Sequence, residues 1–91
     1  MISASDFERS VGKTFTVDAG AKQVQLELNA VRPLSSSGRP GGGFSLQFKG
    51  PREAALQQAT YRFVGKDFAD DIFIVPVSAD ATDVFYEAVF N

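Results

Sequence analysis

Two apolar segments near the C-terminus, Ile72-Phe-Ile-Val-Pro-Val-Ser78 and Val84-Phe-Tyr-Glu-Ala-Val-Phe-Asn91, decide the fold of this chain. Both are rich in β-branched and aromatic residues, and a short polar stretch separates them, which predicts two antiparallel strands joined by a turn. The second segment is apolar at both alternating sets of positions, and Glu87 is its only charge. A strand with two apolar faces is covered on both sides or lies at an interface.

Four further segments, 13–18, 23–31, 44–49 and 58–64, alternate polar and apolar residues and predict strands. No helical segment is long enough for the crossovers of a parallel sheet. We therefore expect one all-β domain over residues 1–91, an antiparallel meander of about six strands curled into a small barrel or sandwich. Pro76 cannot donate a ladder hydrogen bond, which predicts a bulge or an outward-facing backbone position in the fifth strand.

A short N-terminal helix precedes the strands in this prediction. Ser3 or Ser5 can cap it, and Gly12 can end it in the left-handed conformation. Phe7 and Val11 are four residues apart and share a helical face, so we expect them to seal one open end of the sheet.

The predicted core is mainly aromatic, because the chain has nine phenylalanines among its 91 residues. Phe68 is expected to plug the core from the connection at 65–70. The strand positions assigned to the core are Phe15, Leu26, Leu28, Phe44, Leu46, Phe48, Tyr61, Phe63, Phe73, Tyr86 and Phe90. A buried tyrosine among them needs a partner for its hydroxyl group.

Composition argues against an enzyme. The chain has neither histidine nor cysteine, which excludes the commonest general base, thiolate zinc sites and disulfides. We predict no catalytic residues, no cofactor and no metal site. The acids Asp67, Asp70, Asp71, Asp80 and Asp83 match no calcium-loop spacing, and we expect them to be solvated turn residues.

The stretch Pro33-Leu-Ser-Ser-Ser-Gly-Arg-Pro-Gly-Gly-Gly43 is rich in serine and glycine but lacks the spacing of a phosphate-binding loop. A strand rather than a helix follows it, so a flexible hairpin connection is favoured. Nucleic-acid binding is not expected either, since the aromatics near the basic residues fall on the inward sides of their strands. We also expect no membrane association and a cytoplasmic location, because no apolar run approaches the ~20 residues of a membrane span.

Charge is distributed unevenly along the chain. Residues 1–65 carry eight basic and five acidic groups, whereas residues 66–91 carry one basic and six acidic groups. Complementary pairing between strands is favoured over a partner-binding charge pattern. Glu87 lies in an otherwise apolar strand, so we expect Arg62, or failing that Lys49 or a tyrosine hydroxyl, to bind it. The alternative is a Glu87 that faces solvent at a frayed strand end.

Several motifs resemble a small bacterial single-domain family of unknown function that is associated with phage-tail-collar-like genes. They are Phe7…Gly12-x-x-Phe15, Phe44-Ser-Leu-x-Phe48-x-Gly50-Pro51, Gln58-x-Thr60-Tyr61, Phe73-Ile-Val-Pro-Val77 and Tyr86-Glu-Ala-Val-Phe-Asn91. Together they span nearly the whole chain. Ala59 departs from the pattern, which has glycine before Thr-Tyr. The resemblance implies a compact β domain and an assembly role, and it implies no catalytic or binding residues.

The outer side of the last strand carries the functional prediction. If Tyr86 and its even-numbered neighbours fill the barrel, Phe85 and Val89 point outward, beside Val75 or Val64 from nearby strands. A contiguous exposed apolar group marks a protein contact. We predict a structural or protein-interaction module, an assembly or adaptor domain, that binds a protein partner or forms a homodimer. The alternatives are a small-ligand-binding β-barrel and a plain monomer whose helix and glycine-rich loop cover this face.

Overall fold

The computed structural model of this protein describes residues 4–34, 43–66 and 68–90. Predictions at Ser3, Arg39, Asp67, Asn91 and the middle of the Ser/Gly-rich stretch lie outside the described residues. In chain order the elements are α1 (Ala4–Glu8), β1 (Thr14–Asp18), β2 (Gln23–Leu34), β3 (Gly43–Pro51), a 3-10 helix (Arg52–Ala54), β4 (Ala59–Gly65), β5 (Phe68–Ala79) and β6 (Asp83–Phe90).

The six strands form a closed barrel in the order β1-β2-β3-β6-β5-β4, and every neighbouring pair is antiparallel. This confirms the all-β barrel with a short helix. The predicted meander is wrong, because β3 pairs with β6 and β4 pairs with β1. Closure gives each strand two neighbours and removes the free sheet edges. The chain crosses one end of the barrel between β3 and β4, where the Arg52 N–H donates to the carbonyl of Thr82.

The last strand is central in the barrel, with a neighbouring strand on each side, but its outer face keeps apolar surface in water, since Val89 is 51% exposed. β6 lies between β3 and β5, and its register with β3 runs from Phe44↔Phe90 to Pro51↔Asp83. Its even-numbered residues point inward, and Val84, Tyr86 and Ala88 are buried.

The fifth strand differs from its prediction in two ways. It begins at Phe68 rather than at residue 72. The strand includes Asp71 because this side chain points outward, opposite Arg62 on β4, and does not interrupt the pairing. Ile72 and Ile74 are buried, whereas Phe73 is 51% exposed, so its assignment to the core is wrong. Both faces of this segment are apolar, and alternation alone does not choose between them. The predicted bulge is confirmed by a register shift between Pro76 and Ser78.

Aromatic rings fill the barrel interior. Phe48 contacts Phe63 at a centroid distance of 4.9 Å and Phe15 at 6.0 Å, the latter edge-to-face. Apart from Phe73, the other predicted core residues are buried or pack against the core; Tyr61, Phe68 and Phe90 are the partly buried ones. Val24, which the alternation of its strand places inward, is buried as expected; Val17, Leu56, Ile72 and Ile74 are also buried in the core but were not predicted to be.

Helix α1 seals one end of the barrel, as predicted, but only through Phe7. That ring lies 5.4 Å from Phe68 and 6.1 Å from Phe90, between centroids, and is 1% exposed. Val11 is 48% exposed, which corrects its predicted place on the sealing face. The helix ends at Glu8 and a turn follows, so the four-residue spacing does not bring Val11 onto the face of Phe7. No helix in the described part of the chain has the length and apolar character to span a membrane.

Candidate functional site

The outward side of β5 and β6 carries an apolar surface, which we call the β5–β6 face. Its members are Phe73, Val75, Val77, Phe85 and Val89. Phe73, Val77 and Val89 are each 51% exposed, and the other two are partly buried. Each side chain therefore keeps part of its surface in water although its strand is fully integrated in the barrel.

The strand register places Glu87 in the middle of this face. On β6 it stands between Phe85 and Val89, the next outward positions on either side, and across the ladder it lies opposite Val75 on β5 and Gln47 on β3. The side chain is exposed. Within residues 4–34, 43–66 and 68–90 its carboxylate has neither an ion pair nor a hydrogen bond.

None of the predicted partners of Glu87 pairs with it in the described part of the chain. Arg62 lies on β4, and its Nε binds Asp71 Oδ1 on β5 at 3.0 Å, which is complementary pairing between strands of the kind predicted. Lys49 on β3 lies across the ladder from Glu27 and Phe85. The prediction that Arg62 binds Glu87 is wrong because β5 separates β4 from β6. Glu87 faces solvent, as the alternative predicted, but it does so from the middle of a strand paired on both sides and not from a frayed end.

Three of the four predicted face residues, Phe85, Val89 and Val75, lie on the outward sides of adjacent strands. Val64 does not join them: it is 45% exposed on β4, and its cross-strand neighbours are Thr16 and Ala69. The sequence reading missed Phe73 and Val77.

The sequence carries little signal for Phe73 and Val77. The isoleucines at 72 and 74 are as apolar as the residues that alternate with them, and Asp70 and Asp71 place one acid on each side of the strand. Only the position of the bulge beside Pro76, together with the pairing of β5 with both neighbours, fixes which side faces the interior.

The acids of β5, β6 and their turn are mostly held locally. Asp80 Oδ1 accepts hydrogen bonds from the backbone N–H groups of Asp83 and Thr82, at 2.8 and 2.9 Å. These two bonds, that from Asp83 first, hold the pKa of Asp80 below its ordinary value of 3.8. Asp70 Oδ1 accepts the N–H of Asp71. In the described ranges no three acidic side chains come together in a group that could hold a metal ion.

A groove of about 710 Å³ lies outside the barrel, between α1, the start of β1 and the β4–β5 turn. Its rim carries Arg9, Lys13 and Lys66 together with Asp6 and Asp70. Arg9 already forms an ion pair within the rim: its Nη2 lies 3.6 Å from Asp6 Oδ1. Because aromatic rings fill the interior of the barrel, a small ligand would bind in an outer groove, and this one carries the cationic rim.

Comparison with known proteins assigns the chain to a family. The model of DUF6916, a domain of unknown function, matches residues 2–90. The chain belongs to the DUF6916 family. The match covers the same extent of chain as the motif resemblance, and it agrees with a family of unknown function. No curated protein and no solved structure matches the chain.

Proposed function

We propose that this DUF6916 domain is a non-enzymatic interaction module, an assembly or adaptor domain that binds another protein through the β5–β6 face. The observation that carries the proposal is the exposure of Phe73, Val77 and Val89, each 51%, on the outward sides of two adjacent strands. Neighbouring apolar side chains left in water favour burial against a partner.

The free energy available from this face is modest. Full burial of a valine or phenylalanine side chain contributes about 1.5–3 kcal/mol, so covering the exposed halves adds roughly 1 kcal/mol for each residue. The apolar residues alone therefore support a weak or transient contact. A stable complex needs polar contacts around them as well.

Composition and packing support a role without catalysis. The chain has no histidine and no cysteine, and the described acids Asp70, Asp71 and Asp80 are held by local hydrogen bonds or an ion pair. The motif resemblance supports a narrower version of the proposal, a phage-tail-related assembly formed in the cytoplasm. This narrower version predicts that the partner bound by the β5–β6 face is a phage-tail protein.

A matched pair of variants tests the proposal. Phe73→Ser/Val89→Ser removes two exposed apolar side chains from the β5–β6 face, and Val11→Ser/Val64→Ser removes two of similar exposure elsewhere on the molecule. We expect a discrete protein to be enriched on the immobilised parent and on the Val11/Val64 variant, but not on the Phe73/Val89 variant. Equal recovery on all three baits, or on none, contradicts the proposal.

The groove beside α1 supports a second candidate function, a small-ligand-binding β-barrel. Lys13 and Lys66 lie on its rim, and no ion pair engages either lysine in the part of the chain that the structure describes. A small carboxylate or phosphate is the ligand class that these cations favour. Titration with inorganic phosphate and with acetate, followed by amide NMR, tests this candidate: saturable shifts at Lys13 and Lys66 support it, and unchanged spectra exclude it.

A further inference from the structure

We infer that the β5–β6 face binds a protein segment that presents an arginine or lysine among apolar side chains, and that Glu87 is the residue that holds this cation. The inference rests on the proposed function, because it names the chemistry of the partner for the same face. It assigns a role to the one charged residue on the outward side of β6 between Phe85 and Val89.

The position of Glu87 imposes a condition on every partner. A surface that covers both Phe85 and Val89 also covers Glu87, because the three residues are consecutive outward positions of one strand. Removing an unpaired carboxylate from water is costly. Glu87 has no counterion in the described part of the chain, so a partner that covers it has to supply a hydrogen-bond donor, and a cationic donor also compensates the buried charge. A charge-assisted hydrogen bond surrounded by apolar contacts is the arrangement of an interface hot spot.

The surrounding charges favour a partner other than a second copy of the chain. Residues 68–90 contain five acids and neither lysine nor arginine. A two-fold symmetric contact through this face brings the same acidic strands of the two copies together, which is repulsive. The nearest cation on the adjacent strand is Lys49, diagonally across from Glu87, and it acts on Asp80, whose pKa it helps to lower.

Defined peptides test the inference on the full chain. The probes are three fluorescent strand-forming peptides that carry arginine, glutamine or glutamate two residues from a valine on either side, so that the variable side chain and both valines share one face, and binding is measured by anisotropy. We expect the arginine peptide to bind and to shift amide signals of β5 and β6. Because a hydrogen bond between charged groups contributes about 1.5–3 kcal/mol, Glu87→Gln is expected to weaken that binding by about tenfold or more.

A matched variant separates a specific contact from general charge attraction. Glu27→Gln makes the same change in net charge, but on β2, on the far side of β3 from Glu87. We expect this variant to keep the affinity for the arginine peptide within about twofold of the parent, because salt screens a surface charge that does not contact the peptide. Equal losses in the two variants assign the binding to net charge and overturn the inference.

The remaining outcomes separate the inference from the proposed function. Equal binding of all three peptides, abolished by Phe73→Ser/Val89→Ser, overturns the role of Glu87 and leaves the apolar face as the contact surface. If the arginine peptide does not bind, the inference of a cationic partner is wrong. The proposed function is then decided separately by the pull-down with the parent, the Phe73/Val89 variant and the Val11/Val64 variant. A parent that sediments as a dimer, but as a monomer after Val89→Ser, assigns the face to a second copy and also overturns the inference.

Discussion

Tyr86 combines complete burial with a satisfied polar group, and it shows what single residues contribute to this barrel. The side chain is 0% exposed, and its hydroxyl oxygen accepts the backbone N–H of Leu56 at 2.8 Å. Burial raises the pKa of the Tyr86 phenol above its ordinary value of 10.0. The bond ties the middle of β6 to the segment that crosses the end of the barrel, which links two parts of the chain 30 residues apart.

Removing this hydroxyl in Tyr86→Phe is expected to destabilise the protein by about 1–3 kcal/mol, because a buried N–H then has no acceptor. Tyr61→Phe is the matched control. The Tyr61 hydroxyl donates to the carbonyl of Gln57 at an exposed site, where water replaces the lost bond, so we expect a change within about 0.5 kcal/mol. Urea unfolding followed by tyrosine fluorescence or circular dichroism measures both, and equal losses in the two variants contradict this role of Tyr86.

Two phenylalanines on different sides of the sheet test the corrected core. Phe48 is 0% exposed and touches two other rings, whereas Phe73 is half exposed. We expect Phe48→Ala to cost about 3–5 kcal/mol in the free energy of unfolding, and Phe73→Ala to cost less than about 1.5 kcal/mol. A Phe73→Ala variant that loses as much stability as Phe48→Ala would place Phe73 in the core after all.

At the scale of elements, hydrophobic periodicity predicted where the strands lie in the sequence but not which strands pair with each other. The strict alternation at 23–31 predicted β2, although the strand continues to Leu34 beyond a bulge between Leu28 and Ala30. The pairing of β3 with β6 was not predictable, because both strands present apolar residues to the interior and nothing local selects one partner over another. The orientation of β5 was predicted wrongly because both of its sides are apolar, and two of the five residues of the β5–β6 face, Phe73 and Val77, were missed as a result.

The turn between β5 and β6 is an element whose stability depends on pH. The pKa of Asp80 is lowered in the folded state by its bonds from the N–H groups of Asp83 and Thr82. A carboxyl with a depressed folded pKa stabilises the fold above its unfolded pKa, near 3.8, and this contribution is lost as the pH falls through the folded value. We therefore expect Asp80→Asn to be less stable than the parent at neutral pH.

The difference between the two proteins should shrink as the pH is lowered below 3.8, because the parent then loses the same charged acceptor. Thermal unfolding at a series of pH values from neutral to acid measures this convergence. A difference in melting temperature that stays constant over the whole series contradicts the role assigned to the Asp80 carboxylate.

At the scale of the molecule, the barrel is closed and aromatic rings pack in its interior, and the proposed contact lies on its outer surface. Phe7 seals one end and Leu56 is buried near the crossing at the other. The sequence predicted this filled barrel from its nine phenylalanines, and it predicted an apolar outer face from the two-sided pattern of β6. It did not predict the full membership of that face or the isolation of Glu87, because both depend on which strands become neighbours.

The central claim is that the β5–β6 face is the contact surface, and site-specific photo-crosslinking in the producing cell tests it most directly. A photoreactive phenylalanine analogue is placed at Phe73 in one variant and at Gln23 in another. Both positions are exposed, and β2 lies opposite β5 in the barrel order. We predict a discrete protein adduct from position 73 and none from position 23. No adduct from position 73, or the same adduct from both positions, would contradict the claim.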